Sequence, residues 1–321
     1  MHLDQIIANT IPVIVGYGRA GRDLHRALRG LGRPEVVVAD PRPAAAPGVT
    51  WLPTVAAALA RVDPGRAVFH VATPVTEQHA VIGALVAAGA RNVVLDKPAA
   101  GDVRAVAALA GRTRIVPVAG WLTSAVTGRV DEAVADGVIG AVRSIRMEWM
   151  EPRANRSADP APATEVALPH QVLLALHLGG GPGEPADTLT WGMPLPDGTE
   201  LPGAGGVDVT LRQPNRVTTR LMSDLTGPVG LRRLRVTGTR GTLVAHHPLG
   251  SDDHTGQVIL PGHDRELIRD RPVTRFLTAA YAYFAGEGPP PPGDLALHVR
   301  VAELVQEATQ HARTIDEEFA A

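Results

Sequence analysis

Residues 13–28 read VIVGYGRAGRDLHRAL, placing Gly16, Gly18 and Gly21 in G-x-G-x-x-G spacing between an apolar run and an amphipathic one. Few chain paths tolerate that spacing. The first glycine permits a tight turn out of a strand, the second lets backbone approach a diphosphate, and the third lets the new helix pack closely on the strand. The helix that opens there, from Arg19 and Ala20, offers unpaired N–H groups and the positive end of its dipole. Such a segment near the start of a chain predicts a parallel sheet whose strands are joined by crossover helices.

The pattern continues. Apolar runs at 12–16, 35–39, 67–72, 92–96 and 114–119 alternate with helical stretches near 20–31, 54–62, 77–89 and 102–111. Runs such as VVV and VVL, apolar on both faces, require helices on both sides of the sheet. Residues 1–120 are therefore read as an α/β Rossmann domain with a doubly wound parallel sheet. The second strand ends at Asp40, where a carboxylate accepts hydrogen bonds from a ribose 2′-hydroxyl and repels a 2′-phosphate. That residue favours NAD(H), while Arg19 and Arg42 are near enough to serve NADP(H).

After Trp121 the texture changes. A helix near 124–137 leads into VRSIRMEW (142–149), which alternates with period two, and a Pro- and Ala-rich loop follows at 152–163. A helix over 164–178 stops at three glycines, and alternating runs fill 187–260. GPPPPG (288–293) reads as a stiff connector before a last helix at 294–312. Residues 121–321 thus form an α+β domain with a mostly antiparallel sheet, expected to bind substrate and to mediate self-association.

Composition removes other classes. With no cysteine there is no disulfide, thiolate metal site or cysteine nucleophile. A net charge of -2 and pI near 6.6 give no general pull toward nucleic acid or a membrane surface. No stretch approaches the roughly 18 apolar residues of a spanning helix, and the chain is read as cytoplasmic. H-E-x-x-H, C-x-x-C and G-x-S-x-G are all missing, and no metal is expected.

The stretch ATPVTEQHAVIGALVAAGARNVVLDKP (72–98) resembles the Gfo/Idh/MocA family of NAD(P)-dependent oxidoreductases. There an A-T-P turn, a helix carrying His and Gly, and a strand ending in Glu-Lys-Pro occur in that order. The resemblance extends through ADGVIGAVRSI (135–145), VTGTRGTLV (236–244) and the last helix, with Asp96 standing where the family has Glu. It implies that Thr73, Pro74, His79, Asp96 and Lys97 line the coenzyme, and that Lys97 touches the reacting oxygen beside the nicotinamide. Pro98 would fix the turn that aims it. An amine in a partly dry site beside a positive ring has its pKa lowered toward the range useful for proton exchange.

In EVALPHQVLLALHLGGG (165–181), His170 matches the acid/base histidine of the family's D-x-G-x-H-x-x-D. Val166, Leu168 and Leu173 replace the first Asp, the Gly and the last Asp, and Glu165 is the nearest carboxylate. Trp121, Glu148, Glu165 and His170 are implied substrate contacts. The implied reaction moves hydride to or from a hydroxyl or keto carbon of a sugar, cyclitol or nucleotide-linked sugar. Two alternatives are reduction of a C=N bond and a non-catalytic dinucleotide sensor. The resemblance also implies a homodimer or homotetramer, paired through the antiparallel sheet if its outer face is apolar.

Overall fold

The computed structural model of the chain describes residues 10–44, 46–96, 103–152, 162–181, 183–213, 215–250 and 252–314. Lys97 and Pro98 lie outside these, as does most of the loop expected at 152–163. Two units are formed: Met1–Thr123 with Pro272–Val299, and Ser124–Arg271 with Arg300–Ala321.

The first unit runs β1 (Ile11–Val15), α1 (Arg19–Gly30), β2 (Val36–Ala39), β3 (Val49–Leu52), α2 (Val55–Arg61), β4 (Ala67–Val71), α3 (Val75–Ala87), β5 (Asn92–Leu95), α4 (Val103–Leu109) and β6 (Arg114–Pro117). Among the described residues its six strands are all parallel in the order β3-β2-β1-β4-β5-β6, the Rossmann order. Val13, Val15, Phe69, Val71, Val93 and Leu95 fill one core cluster with Ile82 and Leu85 of α3. Strand β3 has no counterpart in the sequence reading. It is a short, half-exposed edge strand after a proline-rich approach, so neither a long apolar run nor clean alternation marks it.

The second unit contains α5 (Ala125–Ala135), β7 (Val142–Met150), α6 (Ala163–Val166), α7 (Leu168–Gly179), β8 (Glu184–Pro194), β9 (Glu200–Arg212), β10 (Thr218–Asp224), β11 (Leu231–Gly238), β12 (Thr242–His246), β13 (Thr255–Ile259), β14 (Arg265–Arg269) and β15 (Arg313–Thr314). Its strands, nine among the described residues, take the order β14-β13-β12-β11-β7-β10-β9-β8-β15, antiparallel except at β7/β10 and β8/β15. The single helix expected over 164–178 is two. Pro169 has no N–H to give to the Glu165 carbonyl, so it ends one helix and starts the next.

Alternation along β7 buries Ile145, Met147 and Trp149 on the face that α7 covers. The opposite face carries Arg146 and Glu148, with Arg233 of β11 and an Arg220–Asp208 pair alongside. On β7, β9, β10 and β11 this outer face carries a row of paired charges in place of the apolar surface that sheet pairing would need.

Two helices remain, α8 (Pro272–Phe284) and α9 (Leu295–Gln310). A boundary at residue 120 would put α8 in the second domain, but it belongs to the first unit. Phe276, Leu277, Ala280 and Tyr281 are buried there, α8 packs on α1, and the Tyr281 hydroxyl lies 3.0 Å from His70 Nε2 in β4.

Candidate functional site

The turn after β1 is built to the tolerance its glycines imply. Gly16 has φ +88°, and a Cβ there would lie 2.6 Å from the Ala72 carbonyl oxygen. At Gly21 a Cβ would lie 2.1 Å from the Gly16 carbonyl oxygen, whereas Gly18 has open space within 4 Å. Helix α1 starts at Arg19 without a side-chain cap hydrogen bond and with no acidic residue in its first turn, so its positive dipole end is not offset from within the helix.

The structure brings Asp40 to this turn. Tyr17 N–H donates to Asp40 Oδ2 at 2.7 Å and Arg42 N–H to Oδ1 at 2.8 Å. The Asp40 carbonyl accepts from Trp51 Nε1 at 2.9 Å, and the Trp51 ring meets Tyr17 edge-on. The Tyr17 hydroxyl in turn lies 2.6 Å from His25 Nδ1. The carboxylate is thereby fixed and largely buried beside the glycines. The Arg42 guanidinium is exposed, its Nε 3.8 Å from Asp40 Oδ1. Arg19 is also exposed, and Ala20 follows it in the first turn of α1. Open backbone and an uncapped helix start for a diphosphate, with a fixed carboxylate to accept from a ribose hydroxyl, are the groups a dinucleotide needs.

In-register pairing of β1 with β2 and β4, and of β4 with β5, puts the residues after them on the same edge. Thr73 and Pro74 follow β4, and the Thr73 hydroxyl is buried with no hydrogen-bond partner among the described residues. Asp96 follows β5, its N–H donating to the Val71 carbonyl at 2.8 Å. Lys97 is the next residue in the chain. His79 points outward on α3; its neighbour Gln78 is the buried one, donating from Nε2 to the Asp96 carbonyl at 3.2 Å. Sequence periodicity does not separate the two, since 79 stands at i, i+3 and i+7 with the buried positions 82 and 86; packing decides it.

In the second unit His170 occupies the first turn of α7, its ring centroid 6.2 Å from that of Trp149. Arg232 lies over the other ring of that pair at 5.8 Å, gives Nη1–H to the Pro248 carbonyl, and sits 3.8 Å from Glu151. Next to His170, buried Gln171 bridges the Ser223 hydroxyl and the Met222 carbonyl, locking α7 to β10. Glu148 is not brought to His170: it points from the opposite face of β7. Burial pushes its carboxyl up, but Arg233 and Arg146 outweigh that and hold it below the usual range. Glu165 is exposed on α6, and Trp121 is half-buried in the turn after β6 in the first unit. His177 pairs with Asp131 at 2.9 Å on the surface of α7. Among the described residues no group of three or more His, Asp or Glu could hold a metal, and no helix is long and apolar enough to cross a membrane.

No protein-family model matches the chain, and no curated protein matches it in sequence. Solved structures do. KijD10, a 3-ketoreductase from Actinomadura kijaniata solved with NADP and TDP-benzene, is 19% identical, with 96% of this chain and 99% of that chain covered at a TM-score of 0.75. The UDP-N-acetylglucosamine 3-dehydrogenase GnnA from Acidithiobacillus ferrooxidans is 18% identical, with 95% and 98% covered at 0.70. The chain has the fold of these oxidoreductases. The likeness spans both units.

Proposed function

We propose that the chain is an NAD(P)-dependent oxidoreductase of the Gfo/Idh/MocA type, acting on a hydroxyl or keto carbon of a sugar, a cyclitol or, most specifically, a nucleotide-linked sugar. One observation carries the reading. Of the 31 lysines and arginines, Lys97 is the only lysine, and the residue before it in the chain, Asp96, follows β5 on the edge that also carries Gly16, Asp40 and Thr73. Arginine serves everywhere else that positive charge is used. A guanidinium does not lose its proton in proteins, whereas an amine does, so the exception marks a position that needs proton exchange. The neighbours named for a 3-ketoreductase and a UDP-sugar 3-dehydrogenase support the substrate class.

When bound, the nicotinamide supplies the hydride donor or acceptor. Gly18 and the start of α1 would hold the diphosphate, and Asp40 would accept from the ribose. Lys97 would give or take the proton on the substrate oxygen. The test is a panel of keto sugars, polyols and nucleotide-linked sugars scored by NAD(P)H absorbance. Turnover of none of them, together with no effect of Lys97→Ala on any property, marks a dinucleotide sensor instead.

Two outcomes follow within the coenzyme site. Because Asp40 is fixed by two backbone N–H groups, NADH is expected to bind more tightly than NADPH, and Asp40→Ala to weaken NADH by about 10- to 150-fold, the worth of charge-assisted hydrogen bonds. Fluorescence titration with both coenzymes measures this; equal affinities in the wild type contradict it. Gly21→Ala is expected to cost about 1–3 kcal/mol in urea unfolding through overpacking against Gly16. Gly18→Ala, with open space for its methyl, is expected to keep wild-type stability and lose coenzyme affinity.

A second reading, reduction of a C=N bond, is favoured by Leu168 and Leu173, both buried, where the family motif carries Gly and Asp around the histidine. An imine needs a proton donor but no base that forms an alkoxide. Consumption of NAD(P)H with a cyclic imine and not with keto sugars selects it.

A further inference from the structure

Asp40 is held from two directions. On the β3 side its N–H donates to the Leu52 carbonyl at 3.1 Å, and its carbonyl accepts from Trp51 Nε1 at 2.9 Å. On the other side its carboxylate accepts from Tyr17 N–H in the glycine turn and from Arg42 N–H two residues on. A carboxylate has about four acceptor sites, so these two donors fix its direction and leave capacity for a ribose hydroxyl.

The bonds differ in what a change of sequence can remove. The Leu52 carbonyl and the N–H groups of Tyr17 and Arg42 belong to the main chain and are present whatever side chains stand there. The donor to the Asp40 carbonyl is an indole, which only tryptophan supplies. Trp51 is half-buried on the edge strand of its sheet and outside the core cluster. Its ring packs edge-on against Tyr17, with centroids 5.4 Å apart, and the Tyr17 hydroxyl is anchored 2.6 Å from His25 Nδ1 of α1. One side chain therefore reaches Asp40 by its N–H and, by its ring, the residue that donates to the Asp40 carboxylate.

The geometry gives the indole bond its leverage. With the N–H and the carbonyl of Asp40 both tied to β3, the two rigid peptide planes that flank its Cα are fixed, and so is the direction of the side chain. The second of these planes leads into Pro41, whose ring fixes the next φ, so the turn to Arg42 starts from it. Without the indole N–H that plane is free to turn, and the carboxylate turns with it.

We infer that Trp51 is a positioning residue for coenzyme choice, bracing Asp40 and Tyr17 so that the carboxylate meets a ribose 2′-hydroxyl and repels a 2′-phosphate; the inference rests on the function proposed above. Trp51 acts through Asp40.

Calorimetric titration with NADH and with NADPH gives the ratio of their Kd values, which a general loosening of the fold does not move. Trp51→Phe keeps an aromatic ring against Tyr17 and removes the donor. NADH is expected to bind about 3- to 10-fold more weakly, the worth of one hydrogen bond, while NADPH, which gains nothing from the carboxylate, holds its affinity or improves. The preference for NADH narrows accordingly. In an Asp40→Ala background the same substitution is expected to leave the ratio where Asp40→Ala alone puts it, because the group through which Trp51 acts is gone.

An unchanged ratio in Trp51→Phe, or the same change in both backgrounds, overturns the role given to Trp51 and leaves the function standing. Equal affinity of the wild type for the two coenzymes does so too. Wild-type protein that binds neither coenzyme overturns the function itself. Should Trp51→Phe not fold, replacing Trp51 by naphthylalanine, which keeps a two-ring shape without the N–H, must narrow the preference in the same way, and a wild-type ratio there also overturns the inference.

Discussion

Lys97→Arg is expected to lower kcat/KM by about a hundred- to ten-thousand-fold, the contribution of a positioned acid/base group. Coenzyme affinity and the urea midpoint are expected to stay where they are in the wild type. The substitution is chosen because it is conservative in charge. If the lysine only attracted a developing alkoxide, a guanidinium at the same place would do much of the same work. If it must release and recover a proton, the guanidinium fails, because it stays protonated throughout the working range. Lys97→Met separates the two further, since it removes both charge and proton and should be no worse than arginine under the proton-exchange reading. Steady-state kinetics on a substrate from the panel decides it: an arginine variant retaining more than about a tenth of wild-type activity is outside the range of acid/base loss and rules out the proton role.

The second large effect is on stability. His70, His247 and His298 are buried, and loss of water lowers their pKa values to about 3, about 3 and about 4, with the positive charges of Arg232 and His246 adding to the effect at His247. An unfolded histidine titrates near 6.5, so below that pH the unfolded chain takes up protons that the native state refuses until pH 3 to 4. Stability therefore falls as pH drops below about 6.5, by about 1.4 kcal/mol per pH unit for each histidine. At about pH 5 the loss is about 2 kcal/mol per histidine, or about 4 kcal/mol for the first unit, which holds both His70 and His298. That is a large part of the total stability of an ordinary domain. His177 works the other way: Asp131 raises its pKa against the effect of burial, so its contribution is present below 6.5 and fades as pH rises through the raised value. It is a part-exposed surface pair and small by comparison. Urea unfolding at about pH 7 and about pH 5 measures the difference. Equal midpoints would mean that these three rings are not kept neutral.

Much of the coenzyme half of the site was legible because its requirements are local. Gly16, Gly18, Gly21 and Asp40 announce themselves by spacing, and each of the five strands read from sequence has a counterpart in the sheet. Where tertiary partners decide, the sequence was silent or misleading. Position 79 offered the family's histidine, yet packing buries position 78. Alternation along β7 separated Glu148 from Trp149, but only the docking of α7 shows which of them shares a side with His170. The helix α8 has a clear apolar period at Phe276, Ala280 and Phe284, and nothing in that period says that its mate is a histidine in β4. Lys97 illustrates the reverse case. Its neighbours in sequence mark it as part of a strand end, and only the composition of the whole chain, with one lysine among 31 basic residues, sets it apart.

The return of α8 to the first unit has a consequence for how the protein is made. His70 and Tyr281 stand 211 residues apart in the chain, so the half that leaves the ribosome first is completed nearly last. Until Tyr281 emerges, a growing polypeptide carries a β4 histidine without its hydroxyl and an α1 flank without its cover. Closing so long a loop is slow, and through that interval the early half keeps apolar surface open to aggregation. A fragment stopped at Thr123 would keep every glycine of the turn and still lack the roof that holds the sheet beneath it.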